Sequence, residues 1–278
     1  MKKLLLGIFL LITSNTSFAI ALDEQVVRIP RQGVIFEHTL EATLYKPPGD
    51  GPFPVVIVNH GIMGDRAYFQ QPRWKALANA PYFVSRGYVV LVPMRSGFAN
   101  SGGAISPSSC GEEPVGNIHA EDIRYAIDYA HTLPYVDKTK TILLGLSTGG
   151  LATVAYGAGK SIDPSVIGLL NFAGGHFQFW CGDWKSDLIA TMGRFGKTNK
   201  IPSLWFYGSN DHYWPEELSD AMFKAYVQGG GNAKLIKYGL FKDDAHKLVN
   251  DVDGNPIWNP PVSEFLDSLG LNSKVLYP

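Results

Sequence analysis

The sequence predicts an α/β protein built on a mostly parallel sheet with helices on both faces. Three observations carry this. Continuous apolar runs at 54–59, 88–92 and 166–172 read as strands buried on both sides, because a half-exposed strand would alternate. Segments with helical spacing lie between them, so strand and helix alternate from residue 54 onward. One further run, Thr141-Ile142-Leu143-Leu144, ends in Gly145-Leu146-Ser147-Thr148-Gly149 and then in the small-residue stretch 150–156. That is a strand, a sharp turn and a helix meeting at one serine.

The chain has 278 residues, 45% hydrophobic and 18% charged, enough for one large domain with a full core. A formal charge of −1 argues against broad electrostatic attraction to nucleic acid. Residues 1–19 read as a signal peptide: Met1-Lys2-Lys3, an apolar run over 4–12, and small residues that allow cleavage near Ala19 or Ala21. The apolar run is about half of the ~20 residues a membrane span needs, so export without stable membrane insertion is expected. Residues 22–278 then form a single domain. In an oxidising periplasm or outside the cell, Cys110 and Cys181 are candidates for one disulfide; their spacing fits no zinc or redox motif, and no metal or cofactor is expected.

Residues 26–29 and 34–45 predict two edge strands paired antiparallel, and Pro47-Pro48-Gly49-Asp50-Gly51 reads as the turn that follows them. Residues 54–59 form the first buried strand, followed by the glycine-bearing loop His60-Gly61-Ile62-Met63-Gly64-Asp65. Residues 66–85 are helical in composition but broken by Pro72 and Pro81, and 88–92 is the next strand. A long Ser/Gly-rich loop over 93–113 follows, of a length that is usually functional. A helix starts at the Asn117 cap and ends near Pro134. Beyond the Ser147 turn come a strand at 166–172, a mixed aromatic segment at 173–200, and a strand at 201–208. A helix at 215–228, a last strand at 233–240 and a closing helix at 261–269 complete the chain.

Glycines two before and two after Ser147 suit a turn that holds the serine in an unfavourable backbone conformation with its hydroxyl clear of the sheet. Such a serine points to nucleophilic catalysis, which also needs an acid, a base and oxyanion donors. Asp211 lies just past the strand at 201–208; Asp183, Asp187, Glu216 and Glu217 compete with it less well by position. Only His212 and His246 follow Asp211, and His212, its chain neighbour, is badly placed to be oriented by it across the serine. His246, in the loop after the last strand, is the expected base. The N–H groups of Thr148 and Ile62 are the expected oxyanion donors, with Met63 as the competitor for the second; His60 is expected to brace the loop.

With these residues assembled, the sequence resembles the α/β-hydrolase superfamily. Within it, the nearest branch is the dienelactone hydrolase-like and prolyl-oligopeptidase-like serine hydrolases. The resemblance covers about residues 30–270. It rests on Asn59-His60-Gly61, Arg95-Ser96-Gly97, Gly145-Leu146-Ser147-Thr148-Gly149-Gly150, Gly208-Ser209-Asn210-Asp211 and Asp244-Ala245-His246. It implies an eight-stranded, mostly parallel sheet with a small lid-like insertion after the sixth strand, and hydrolysis of a small ester or short peptide through Ser147, Asp211 and His246. Dienelactone hydrolases proper carry a cysteine nucleophile. Ser147 in that place points to an ordinary serine esterase instead. A secreted aminopeptidase- or oligopeptidase-like amide hydrolase is the alternative enzyme reading, and a catalytically silent binding module the alternative of another class. Phe177, Phe179, Trp180 and Trp184, with Tyr213 and Trp214 beside the acid, are candidates for the substrate wall, or else pack the lid onto the body. Glu112 and Glu113 are candidates for receiving a cationic substrate end, or else are solvated. The sequence carries no sign of oligomeric state.

Overall fold

The protein is described from a computed structural model covering residues 22–32, 37–64, 67–104, 110–178 and 180–278. The signal-peptide reading and Phe179 fall outside those residues. Eight strands form one sheet in the order β1-β2-β4-β3-β5-β6-β7-β8. They are β1 (Glu24–Arg31), β2 (His38–Tyr45), β3 (Phe53–Asn59), β4 (Val89–Pro93), β5 (Val136–Leu146), β6 (Val166–Phe172), β7 (Ser203–Tyr207) and β8 (Ala233–Lys237). β1 and β2 are antiparallel and β2 joins β4 antiparallel; from β4 to β8 every pairing is parallel.

Every residue of β4 and β7 is buried, and nearly every residue of β3 and β6. This is why these strands read as unbroken apolar runs: both faces are covered. On one side α1 (Ala80–Val84) meets α6 (Asn255–Ser268), with Tyr82 edge-on to Trp258 at 4.8 Å and its hydroxyl 2.6 Å from Ser263 Oγ. The helices α2 (Glu112–Ala130), α3 (Thr148–Ala158), α4 (Trp184–Thr198) and α5 (Glu216–Gln228) pack in succession. Parallel register brings the carboxyl ends of the central strands level: Asn59 lies beside Gly145, Leu146 beside Phe172, and Phe172 beside Phe206. The loops that follow these residues therefore meet at one edge, where α/β sheets bind ligands.

Four elements differ from the sequence reading. Residues 66–85 are helical over only short pieces, because the stretch crosses the back of β2, where Thr43 Oγ1 and Tyr45 OH donate to the carbonyls of Trp74 and Lys75. α2 starts at Glu112, five residues before the expected cap. Pro114 sits in its first turn, where a missing N–H removes no helical bond. The aromatic segment resolves into loop at 174–178 and 180–183, and α4. α6 begins at Asn255 and runs through Pro260 and Pro261, held by the burial of Trp258, Val262 and Leu266.

Candidate active site

Ser147 sits between β5 and α3 with φ 55° and ψ −124°, a conformation that costs a non-glycine residue on the order of 1–3 kcal/mol. The flanking glycines show what enforces it. A Cβ on Gly145 would lie 2.2 Å from Gly149 O, and one on Gly149 would lie 2.2 Å from Asn59 O. Strand, helix and the neighbouring strand end nearly touch, so neither position tolerates a side chain. The turn is also tied to β6: Ser147 N–H donates to Phe172 O at 3.0 Å, and its carbonyl accepts from Gly175 N–H at 3.1 Å.

Asp211 follows β7, and both oxygens of its carboxyl group are engaged. Its Oδ1 accepts from the N–H groups of Tyr213 and Trp214, at 2.9 and 3.0 Å, and its Oδ2 accepts from His246 Nδ1 at 2.9 Å. The carboxylate is fully buried and the imidazole 13% exposed. With Nδ1–H given to Asp211, Nε2 is the acceptor edge of the His246 ring. His246 lies in a short 3-10 helix (Ala245–Asn250) after β8, capped by Asp244, whose Oδ1 accepts from the His246 N–H at 3.0 Å. The same carboxylate accepts from His212 N–H, and the His212 ring is two-thirds exposed beside it, away from the role of base.

The loop after β3 lies against the nucleophile, since a Cβ on Gly61 would be 3.2 Å from Ser147 Cβ. Met63 N–H is engaged by Gln71 Oε1 at 3.1 Å, which leaves Ile62 as the neighbouring donor. Thr148 is the first residue of α3, where an N–H has no partner within the helix. His60 is buried and braces the loop: Nδ1 lies 2.7 Å from Gly61 O, Nε2 accepts from Arg95 N–H, and the Arg95 guanidinium reaches His60 O. Burial, then the charge of Arg95, holds the His60 imidazole well below its usual pKa, so it stays neutral.

Four of the six aromatic candidates meet beside His246. Tyr213 lies 4.7 Å from the His246 ring, Phe177 is edge-on to Tyr213 and to Trp184, and Trp184 is edge-on to Trp214. Trp214 is buried, its Nε1–H given to Ala173 O at 2.7 Å, so it braces the acid loop and offers no surface as a pocket wall. Phe177 and Tyr213 are the exposed members of this group, and Trp180 stands out further at 58%. Cys110 and Cys181 are bonded, joining the loop before α2 to the segment after β6. Across this junction Gly111 N–H donates to Gln178 Oε1 and Glu112 N–H to Asp187 Oδ2.

Glu112 is not a solvated glutamate. Its side chain is fully buried, with Oε2 3.6 Å from His176 Nδ1, while Glu113 pairs with Arg194 at the surface. Sequence reasoning missed the Glu112–His176 pair because α2 was expected to start later, which left Glu112 in a loop. The helix signal lay in two acidic residues followed by proline, a favourable first turn. Among the described residues no cluster of His, Cys, Asp or Glu is placed to hold a metal ion, and no helix is long and apolar enough to cross a membrane.

No family model matches the chain. A stretch of 134 residues, 48% of the chain, is 30% identical to the quorum-quenching protein AidA of Acinetobacter baumannii, and spans 40% of that protein's length. The chain superposes on a dienelactone hydrolase structure from Klebsiella pneumoniae with a TM-score of 0.60 at 17% identity, covering 90% of this chain and 99% of that one. An esterase from Pyrococcus furiosus superposes with a TM-score of 0.61 at 12% identity, covering 89% and 93%. The fold is the α/β-hydrolase fold, as the resemblance implied.

Proposed function

We propose that this protein is an exported serine esterase acting on small carboxylic esters. The observation that carries the reading is the convergence at one sheet edge of a strained Ser147, a preorganised Asp211–His246 pair, and a loop whose Gly61 abuts the serine. His246 Nε2 takes the Ser147 proton as Oγ attacks the ester carbonyl. Asp211 fixes the tautomer and stabilises the imidazolium. The N–H groups of Thr148 and Ile62 receive the oxyanion. The alcohol leaves with the proton from His246, and water, activated by the same imidazole, releases the acid from the acyl-enzyme. The exposed faces of Phe177, Tyr213 and Trp180 supply apolar surface for the substrate. The esterase and dienelactone hydrolase among the fold neighbours support ester chemistry, and the disulfide supports an oxidising compartment.

A fluorophosphonate probe and a panel of p-nitrophenyl esters and aminoacyl anilides test this. The expected result is labelling at Ser147 and hydrolysis of short esters well ahead of anilides. Ser147→Ala is expected to lose labelling and roughly a millionfold in turnover. Folded wild-type protein that neither labels nor turns over any ester refutes the proposal. N-terminal sequencing of the exported protein is expected to start at Ile20 or Leu22.

A further inference from the structure

Asp211 and His246 come from separate loops, one after β7 and one after β8. The pairing of these strands ends at Tyr207 and Lys237, before either residue is reached. Beyond it a seam of hydrogen bonds joins the two loops. Ser209 N–H donates to Gly239 O at 2.8 Å, Phe241 N–H to Asn210 Oδ1 at 3.0 Å, and Asn210 Nδ2 to Lys242 O at 3.1 Å. Asp244 crosses in the opposite sense, from the base loop to the acid loop. Its side chain is 8% exposed, and its Oδ1 accepts from His246 N–H at 3.0 Å and from His212 N–H at 3.3 Å.

Both nitrogens belong to groups on which the alignment of acid and base depends. His246 N is bonded directly to the Cα that carries the imidazole. His212 N closes the peptide group that begins at the Asp211 carbonyl carbon. That group is planar, so holding its N–H fixes the direction in which the chain leaves the Asp211 Cα. A carboxyl oxygen has room for two donors. A single atom of Asp244 thus ties the backbone of the acid to the backbone of the base.

Other contacts of Asp211 do a different job. Its Oδ1 accepts from the Tyr213 and Trp214 N–H groups, which lie in its own loop and would travel with it. They set the rotation of the carboxylate, not its distance from His246. The His212 ring is 65% exposed and lies 3.5 Å from Asp244 Oδ2; an exposed pair of this kind contributes little.

We propose that Asp244 is a positioning residue for ester hydrolysis, registering the Asp211 loop against the His246 loop so that the imidazole is aligned before substrate arrives. This rests on the esterase reading above and adds a residue to it. Asp244 acts through Asp211 and His246, not on the substrate. The role is geometric: it needs an acceptor oxygen at that reach, not a negative charge.

Three variants separate the clamp from charge and from local capping. Asp244→Asn keeps an acceptor oxygen at the same reach and is expected to stay within about threefold of the wild-type kcat on p-nitrophenyl acetate. Asp244→Ser keeps a cap for the His246 N–H but, one bond shorter, falls short of the His212 N–H. It is expected to lose about a hundredfold in kcat with KM within about twofold, the scale of an ångström-sized misplacement. Asp244→Ala is expected to lose at least as much, and the serine variant carries the test if the alanine protein does not fold. Proton NMR of the unliganded protein gives a second readout, the downfield resonance of His246 Nδ1–H bonded to Asp211. It is expected in the wild type and in Asp244→Asn, and weakened or moved upfield in folded Asp244→Ser. A folded serine variant with near wild-type kcat and an unchanged resonance overturns the clamp, leaving Asp244 a merely structural cap. An asparagine variant as slow as the serine one also overturns it, by assigning the effect to charge. Wild-type protein that fails to take up fluorophosphonate refutes the esterase reading instead.

Discussion

Two acid–imidazole pairs, Asp211–His246 and Glu112–His176, are provided for differently. Asp211 receives three hydrogen bonds, two from backbone N–H groups and one from His246 at 2.9 Å. Among the described residues Glu112 receives none on its carboxylate, and it lies 3.6 Å from His176. Both carboxyls are fully buried. Burial alone therefore does not decide what a carboxyl does. The surroundings decide: Asp211 is met by donors that stabilise charge, whereas burial pushes the Glu112 carboxyl above its usual pKa.

The comparison breaks most visibly at Asp211. Asp211→Asn replaces an acceptor with an amide that favours the wrong His246 tautomer. It is expected to lower kcat by about 10,000-fold with little change in melting temperature, read on p-nitrophenyl acetate.

Next comes the disulfide, which spans 71 residues and joins the chain segments that carry Glu112 and His176. The double variant Cys110→Ser, Cys181→Ser is expected to lose about 4 kcal/mol in chemical denaturation. Its hydrogen exchange is expected to quicken at 110–113 and 174–183 and to stay unchanged around Asp211.

Acid sharpens the comparison further. His60 and His119 are buried, and burial, then the charge of Arg95, holds both well below the ordinary histidine range. In the unfolded chain they take up protons below about pH 6.5; in the folded chain they do not. Stability is therefore fully present above pH 6.5 and falls as pH drops below it. The slope from the two groups approaches about 3 kcal/mol per pH unit. His119→Gln is expected to remove close to half of that slope in denaturation measured from pH 7 to pH 5.

The smallest effect concerns Glu112 itself. Its raised pKa means that the unfolded chain releases a proton above about pH 4.5 while the folded chain retains it. The cost of this residue thus grows as pH rises from there to the folded pKa. Glu112→Gln is expected to gain about 1 kcal/mol at pH 8 and little at pH 4.

The sheet was legible because parallel strands buried on both faces leave unbroken apolar runs at 54–59, 88–92 and 166–172. Ser147, Asp211 and His246 were legible as positions because each lies in a loop at the carboxyl end of its own strand. The break expected in 66–85 is larger than the two prolines implied, because the stretch around Trp74 and Lys75 is fixed by side chains of β2, remote in sequence. The Glu112–His176 pair stayed hidden for the same reason. Its members lie 64 positions apart, and neither has a local pattern that marks it as buried. Trp214 looked like pocket lining by composition; its indole N–H, committed to Ala173 O, made it a strut.

Both main-chain polar groups of Ser147 are committed to β6 and the loop after it, through Phe172 O and Gly175 N–H. The nucleophile and the segment bonded to it are thus one mechanical piece. A shift of 174–176 would drag on the serine carbonyl, so this segment cannot be lengthened or swung aside without disturbing the turn it is bonded to. Natural enlargement of the cleft is channelled to other margins of the same rim, where chain can be added without pulling on Ser147. Insertions that retune the pocket belong at those margins.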